Sequence, residues 1–234
     1  MKNLPFTPVS SSTSWFPPSA FDAVVIGCSA GGLKALKILL SGLPPFFPAP
    51  LIVVQHRLDR EGPDYLPLIL SHHGVLAVKR AIDGERLRPA IVYVAPPGRH
   101  VTMTADRTIA LADSPKMNFV RPSIDVLFHS AARVCGARAI AVILTGAGSD
   151  GAKGAKAMKQ AGATVIAQDR ESSEWFEMPA AALATGAVDL CLPIGKIAKS
   201  LVALTMVPGA PELFRAPLPI DPPKNSPQNI KPLS

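Results

Sequence analysis

Ser29, His56 and Asp150 are residue types that together can run acyl chemistry. A hydroxyl is a weak nucleophile until a base takes its proton. An imidazole does this near neutral pH, and a carboxylate fixes its tautomer and stabilises the imidazolium that forms. Linear spacing does not make these three neighbours. What they share is position. Each lies in a segment that directly follows a run reading as a buried strand: Ala23-Val24-Val25-Ile26, Leu51-Ile52-Val53-Val54, and Ala139 to Leu144. In a doubly wound sheet all parallel strands share one carboxyl edge, and the loops there converge on the functional crevice.

The serine turn, Gly27-Cys28-Ser29-Ala30-Gly31-Gly32, admits three readings. A serine on a sharp strand-to-helix turn between small residues has the mechanics of a nucleophile elbow. Glycines after a first strand also cradle dinucleotide phosphates, but Ser29 stands where that fingerprint needs its second glycine. The acidic ribose partner expected about 20 residues on is replaced by a proline-rich loop. The third reading is a merely structural turn. Asp150 precedes a predicted helix, where Asp is a common N-cap, and Asp169 at another strand end rivals it. Among the other histidines, His72 and His73 suit a helix end and His129 falls inside a helix. His100, after Pro96-Pro97-Gly98, is the serious rival to His56. Backbone N–H groups around 27–32 and 146–151 are candidates for holding an oxyanion. Cys28 adjoins Ser29 and reads as a small buried hydrophobe.

These residues need elements to position them. Apolar runs alternate with amphipathic stretches: a helix over Leu33–Leu40, a short one over Tyr65–His72, strands at Val75–Lys79 and Ala90–Ala95. A hairpin is predicted across Ala105-Asp106-Arg107, then a loop over Asp113–Val120. A helix over Pro122–Val134 has Pro at its first turn, and one over Ala152–Ala161 is stopped by Gly162. A strand at Ala163–Ala167, a helix at Pro179–Ala184, a strand near Val188–Cys191 and a helix at Ile194–Leu204 complete the body. The order predicts an α/β fold: a doubly wound, mostly parallel, Rossmann-like three-layer sheet with helices on both faces and a small hairpin insertion. Residues 1–20 read as a flexible leader, 21–207 as the folded body, and 208–234 as a proline-rich flexible tail.

Composition narrows the function classes. The chain has 234 residues, 48% of them hydrophobic, enough for one α/β domain with a substantial core. The formal net charge of +7 is scattered, with few aromatics and no basic block. No nucleic-acid partner is expected. An acidic protein partner suits the charge. Three distant cysteines give no disulfide framework, which fits a cytoplasmic location. The N-terminus lacks a continuous apolar core for a signal peptide, and no run reaches membrane-spanning length. No cluster has zinc spacing, so neither metal nor cofactor is expected.

Six segments in order resemble the catalytic domain of the CheB-type chemotaxis-receptor protein-glutamate methylesterases. They are Val25 to Gly32, Val53-Val54-Gln55-His56, Val92 to His100, Arg121 to Phe128, Leu144 to Gly151, and Gln168-Asp169 leading to Met178-Pro179. Each alone is weakly specific; together their order and spacing hold across nearly the whole body, Phe21 to Leu204. The resemblance implies Ser29, His56 and Asp150 as catalytic residues, which settles the rivalry with His100 and Asp169. It implies hydrolysis of γ-glutamyl methyl esters on the cytoplasmic helices of chemoreceptors or related sensor proteins, releasing methanol, and deamidation of receptor glutamines by the same chemistry. Two departures stand out: Ala30 replaces the family's Thr at the elbow, and Ala147 replaces its Met in the glycine-rich loop. The family's phosphoacceptor receiver domain is replaced here by a short leader. Phosphorylation control within the chain is therefore not expected, which leaves room for a regulator in trans. A catalytically weak adaptor of the same fold, binding receptors or sensor proteins, is the competing reading.

Overall fold

The computed structural model describes residues 19–57 and 62–206. The predicted leader, except for Ser19 and Ala20, and the predicted tail lie outside the described residues. At the centre is β1 (Ala23–Cys28), with every residue buried. A strand covered on both faces must be apolar at every position, not at alternate ones. Its side chains divide between two cores by parity: Val24, Ile26 and Cys28 enter one, Ala23 and Val25 the other. In order after β1 come α1 (Gly32–Ser41), β2 (Leu51–Gln55), α2 (Leu66–Ser71), β3 (Ala77–Arg80), β4 (Ile91–Val94), β5 (His100–Met103) and β6 (Ile109–Ala112). Next are α3 (Ile124–Cys135), β7 (Ala139–Ile143), α4 (Ala152–Gln160), β8 (Thr164–Gln168), α5 (Glu177–Ala184), β9 (Leu190–Leu192) and α6 (Ile194–Met206).

Seven strands form one parallel sheet in the order β3-β4-β2-β1-β7-β8-β9, and β5 and β6 pair antiparallel as a separate hairpin. This is the expected doubly wound fold with its hairpin insertion. Register at the centre sets Ile26 beside Val53 on one side and Val142 on the other. Leu36 and Leu39 of α1, Leu70 of α2 and Leu201 of α6 fill the core on one face. Phe128 of α3, Met158 of α4, Ala182 of α5 and Val101 of the hairpin fill the other.

One boundary departs from expectation for a physical reason. Pro122 was expected inside the first turn of its helix, but α3 begins at Ile124. Ser123 is the N-cap, in extended backbone, and its hydroxyl accepts from the Val126 N–H at 3.4 Å. A hydroxyl that can satisfy an orphan helix amide takes the cap position and leaves the proline outside. Among the described residues, no helix is long and apolar enough to cross a membrane.

Candidate active site

Chain order reverses at β1: β2 and then β4 lie on one side, β7, β8 and β9 on the other. The ends of β2, β1 and β7 are therefore adjacent, and they carry His56, Ser29 and Asp150. Ser29 sits on the turn between β1 and α1. Its N–H donates to Thr145 O at 3.0 Å, and its carbonyl accepts from Gly32 N at 2.9 Å and Gln55 Nε2 at 2.8 Å. The bonds to Thr145 and Gln55 tie its backbone to both neighbouring strands, and the Gly32 bond closes the turn. Gly146 must be glycine for the same reason: a Cβ there would stand 2.8 Å from Ser29 Cβ and 2.2 Å from Met178 Sδ. Ser29 and His56 line one cavity of about 670 Å³, with Gln55, Gly32, Lys34 and Lys37 also in its wall.

His56 follows β2 directly, its N–H donating to Cys28 O at 3.0 Å. Its Nε2 lies 2.9 Å from Asp150 Oδ2. The Nε2–H donates to the carboxylate, which leaves Nδ1 as the ring nitrogen with a free lone pair.

Asp150 is almost fully buried, and five donors surround it. Oδ2 accepts from His56 and from Ile124 N at 2.6 Å; Oδ1 accepts from Ser123 Oγ at 2.8 Å and Asp125 N at 3.2 Å, with Asn118 Nδ2 at 3.5 Å. Burial pushes the carboxyl up. The bonds from His56, Ile124 and Ser123 outweigh it and hold the pKa below the usual carboxylate value. Asp150 is a cap, as its sequence position suggested, but of another helix. The N-cap of α4 is Gly151, in left-handed backbone at φ 100°, and Asp150 serves the amides at the start of α3. Asp125, in the first turn of α3, returns the arrangement: its Oδ1 accepts from Gly151 N at 2.9 Å and Gly154 N at 2.7 Å at the start of α4. Burial, with the Asp150 charge beside it, pushes Asp125 up despite those two bonds.

The rivals are elsewhere. His100 is buried, its Nε2 3.1 Å from Pro115 O and its Nδ1 accepting from Ser123 N at 3.2 Å, so it supports the cap that supports Asp150. Asp169 accepts from Ser172 N and Oγ and shapes its own turn. Cys28 is buried, with Sγ 3.1 Å from Gln55 Oε1, and burial pushes its thiol far up, which makes it inert. Most of the proposed oxyanion amides are already in use: Ser29 N on Thr145 O, Gly32 N on Ser29 O, Gly146 N on Trp175 O, Gly148 N on Glu177 Oε2 and Gly151 N on Asp125. The amides of Ala30, Gly31, Ala147, Ser149 and Asp150 have no partner among the described residues. Among the described residues, no three His, Cys, Asp or Glu side chains gather as a metal site would.

Sequence reasoning missed the clamp behind the serine. Gln55, the last residue of β2, holds the Ser29 carbonyl. Thr145, just past β7, donates to Ala30 O at 3.0 Å and accepts from Trp175 N at 2.8 Å. Gln168, the last residue of β8, accepts from Thr145 N at 2.9 Å. The signal available was a polar residue at or just past the end of an otherwise apolar strand.

A parallel α/β sheet whose central strand ends gather a hydroxyl, an imidazole and a buried carboxylate is the architecture of a serine-hydrolase-like domain. Comparison with known proteins narrows this class. The family model described as CheB methylesterase matches residues 24–201, and the chain belongs to that family. It is 42% identical over 202 residues to a protein-glutamate methylesterase/protein-glutamine glutaminase of Photorhabdus laumondii, covering 84% of this chain and 57% of the relative. It is 40% identical to a putative enzyme of the same name from Leptospira interrogans, over 79% of this chain and 95% of that one. The crystal structure of the Thermotoga maritima CheB methylesterase catalytic domain superposes with a TM-score of 0.75 at 40% identity, covering 79% of this chain and 98% of that domain. The chain spans little more than half the length of relatives such as the Photorhabdus protein.

Proposed function

We propose that this protein is a serine esterase that removes methyl groups from glutamate side chains of chemoreceptors or related sensor proteins. The same acyl chemistry would deamidate receptor glutamines. The observation that carries the reading is the buried Asp150 bonded to His56, with His56 and Ser29 in the wall of one cavity. The names of the relatives support the substrate class.

Asp150 holds the Nε2 proton, so Nδ1 is the base. Nδ1 takes the Ser29 hydroxyl proton as Oγ attacks the ester carbonyl carbon, and the carbonyl π electrons move to its oxygen. The free amides of Ala30 and Ala147 are among the donors available to that oxyanion. An alanine supplies the same N–H as the family's Thr or Met, so neither departure removes it. The oxyanion collapses, the bond to methoxide breaks, and the imidazolium gives its proton to the leaving oxygen as methanol. Water, deprotonated by His56, then releases the glutamate carboxylate and frees Ser29. For glutamine the leaving group is ammonia. Docking to cytoplasmic receptor helices, and control by a regulator in trans, belong to the same proposal.

A fluorophosphonate probe read by mass spectrometry tests it. The expected result is an adduct on Ser29 in the wild type and none in His56→Ala. Folded wild-type protein that takes no adduct would refute the esterase and favour a receptor-binding adaptor of the same fold.

A further inference from the structure

His56 stands in the wall of two cavities. The second, of about 490 Å³, is formed with Arg57, Lys116, Phe119, Arg121 and Pro122, and Ser29 is absent from its lining. Its three cations differ. Arg57 is already paired: its guanidinium binds Asp64 through both terminal nitrogens and donates to Ala95 O at 2.9 Å. Arg121 has no carboxylate partner among the described residues. Its Nη1 donates to the carbonyl oxygens of Asp113 at 2.9 Å and Ser114 at 3.0 Å, and its Nε is buried without a partner. Carbonyl dipoles do not neutralise a partly buried guanidinium, so its charge remains available to an anion; the unpartnered Nε, which Arg57 shares, does not distinguish the two. Lys116 is exposed and makes no ion pair among the described residues.

Apolar surface lies beside this charge. Phe119 is 94% exposed and Met117 is 52% exposed. Phe119 and Asn118 both adopt left-handed backbone, at φ 67° and 50°, which non-glycine residues rarely do without being held there. Asn118 holds them: its Nδ2 donates to Asp125 Oδ2 at 3.1 Å and reaches Asp150 Oδ1 at 3.5 Å. The loop presenting Lys116, Arg121 and the phenyl ring is thus anchored chiefly on Asp125, beside the carboxylate that orients His56.

We infer that the second cavity is a subsite for an anionic side chain of the same polypeptide that delivers its ester to Ser29. The carboxylate meets Arg121 and Lys116, and apolar neighbours on the polypeptide pack on Phe119. A free small acid would leave the exposed phenyl ring unexplained, whereas an amphipathic acidic segment matches both charge and ring. The inference rests on the esterase reading and adds a requirement to it: an acidic residue near the esterified glutamate. On a helix, positions three or four residues away share its face.

The test uses the full chain and helical peptides carrying one glutamate γ-methyl ester, with Glu, Gln or Lys three or four positions to either side. Methanol release is measured. Wild type is expected to prefer the Glu-flanked peptide over its Gln counterpart by about fivefold or more in kcat/KM, the difference appearing in KM. Lys116→Glu should reverse the order and favour the Lys-flanked peptide; Lys116 is exposed, so the change does not threaten folding. Equal rates for the three peptides in wild type would overturn the subsite. So would an equal reversal by Lys34→Glu, because Lys34 lines the other cavity and the preference would then come from a diffuse field. Wild-type hydrolysis of p-nitrophenyl acetate reports on the esterase reading separately. If folded wild type hydrolyses neither that ester nor the peptides, the esterase reading fails, and the affinities of the same peptides, measured by titration, still decide the subsite by the same order.

Discussion

Asp150 and Asp125 show how one residue type takes opposite roles within a single cluster. Both are buried carboxyls receiving backbone N–H bonds. Asp150 also has His56 and the Ser123 hydroxyl, which outweigh its burial, and its pKa is lowered; Asp125 is raised by burial first and by the Asp150 charge beside it. Their signs in acid unfolding therefore differ. The lowered Asp150 contributes stability that is complete above the ordinary carboxylate value and is lost as pH falls through its native value. The raised Asp125 contributes most below the ordinary value and loses it as pH rises through its native value. Urea midpoints measured across acidic pH should show a flatter acid limb in Asp150→Asn than in wild type. An unchanged limb would mean that folding does not lower the Asp150 pKa. Turnover of any ester by the same variant should fall by on the order of 10⁴-fold, the loss expected when the amide no longer enforces the imidazole tautomer.

At the level of elements, Asp125 of α3 serves the first amides of α4 and Asp150, in the turn leading into α4, serves those of α3, and this requires the two N-termini to be close. Gly154 makes the approach feasible. A Cβ there would stand 2.6 Å from Phe128 Cβ and 3.1 Å from Asp125 Cα, neither of which is the far end of a flexible side chain. Ala improves helix propensity by about 1 kcal/mol over Gly, but overpacking costs about 1–3 kcal/mol. Gly154→Ala is therefore expected to lower the denaturation midpoint. Gly195→Ala in α6, where nothing lies within 4 Å of the new Cβ, should leave it unchanged or raise it by a few tenths to about 1 kcal/mol. Equal effects of the two would show that packing between α3 and α4 does not decide stability. The contrast also marks what the sequence could reveal. β1, β2 and β7 were legible because strands buried on both faces are continuous apolar runs. The placement of Ser29, His56 and Asp150 at strand ends followed from that. The reciprocal caps were not legible: Asp150 looks like the cap of α4, and only the packing of α3 against α4 turns it toward α3. Gln55, Thr145 and Gln168 were marked only as polar residues at or just past the ends of apolar strands; the backbone groups they hold are distant in sequence, so their partners were not legible.

For the whole molecule, the formal net charge of +7 and the local cations around His56 make separable contributions. The net charge acts at long range, raising encounter rates with an acidic partner, and salt suppresses it. From about 0.1 M to about 1 M salt the screening length falls from about 10 Å to about 3 Å. Contacts with the partly buried Arg121 act at hydrogen-bonding distance and are screened less. kcat/KM for an acidic helical ester peptide should therefore fall several-fold across that range while p-nitrophenyl acetate, which carries no charge, holds steady. The ratio between Glu-flanked and Gln-flanked peptides should change less than the rate itself. If rate and ratio collapse together, selectivity belongs to the overall field and the cavity beside His56 adds nothing of its own. If the rate is indifferent to salt, the surface charge plays no part in docking, and apolar contacts such as Phe119 must supply it.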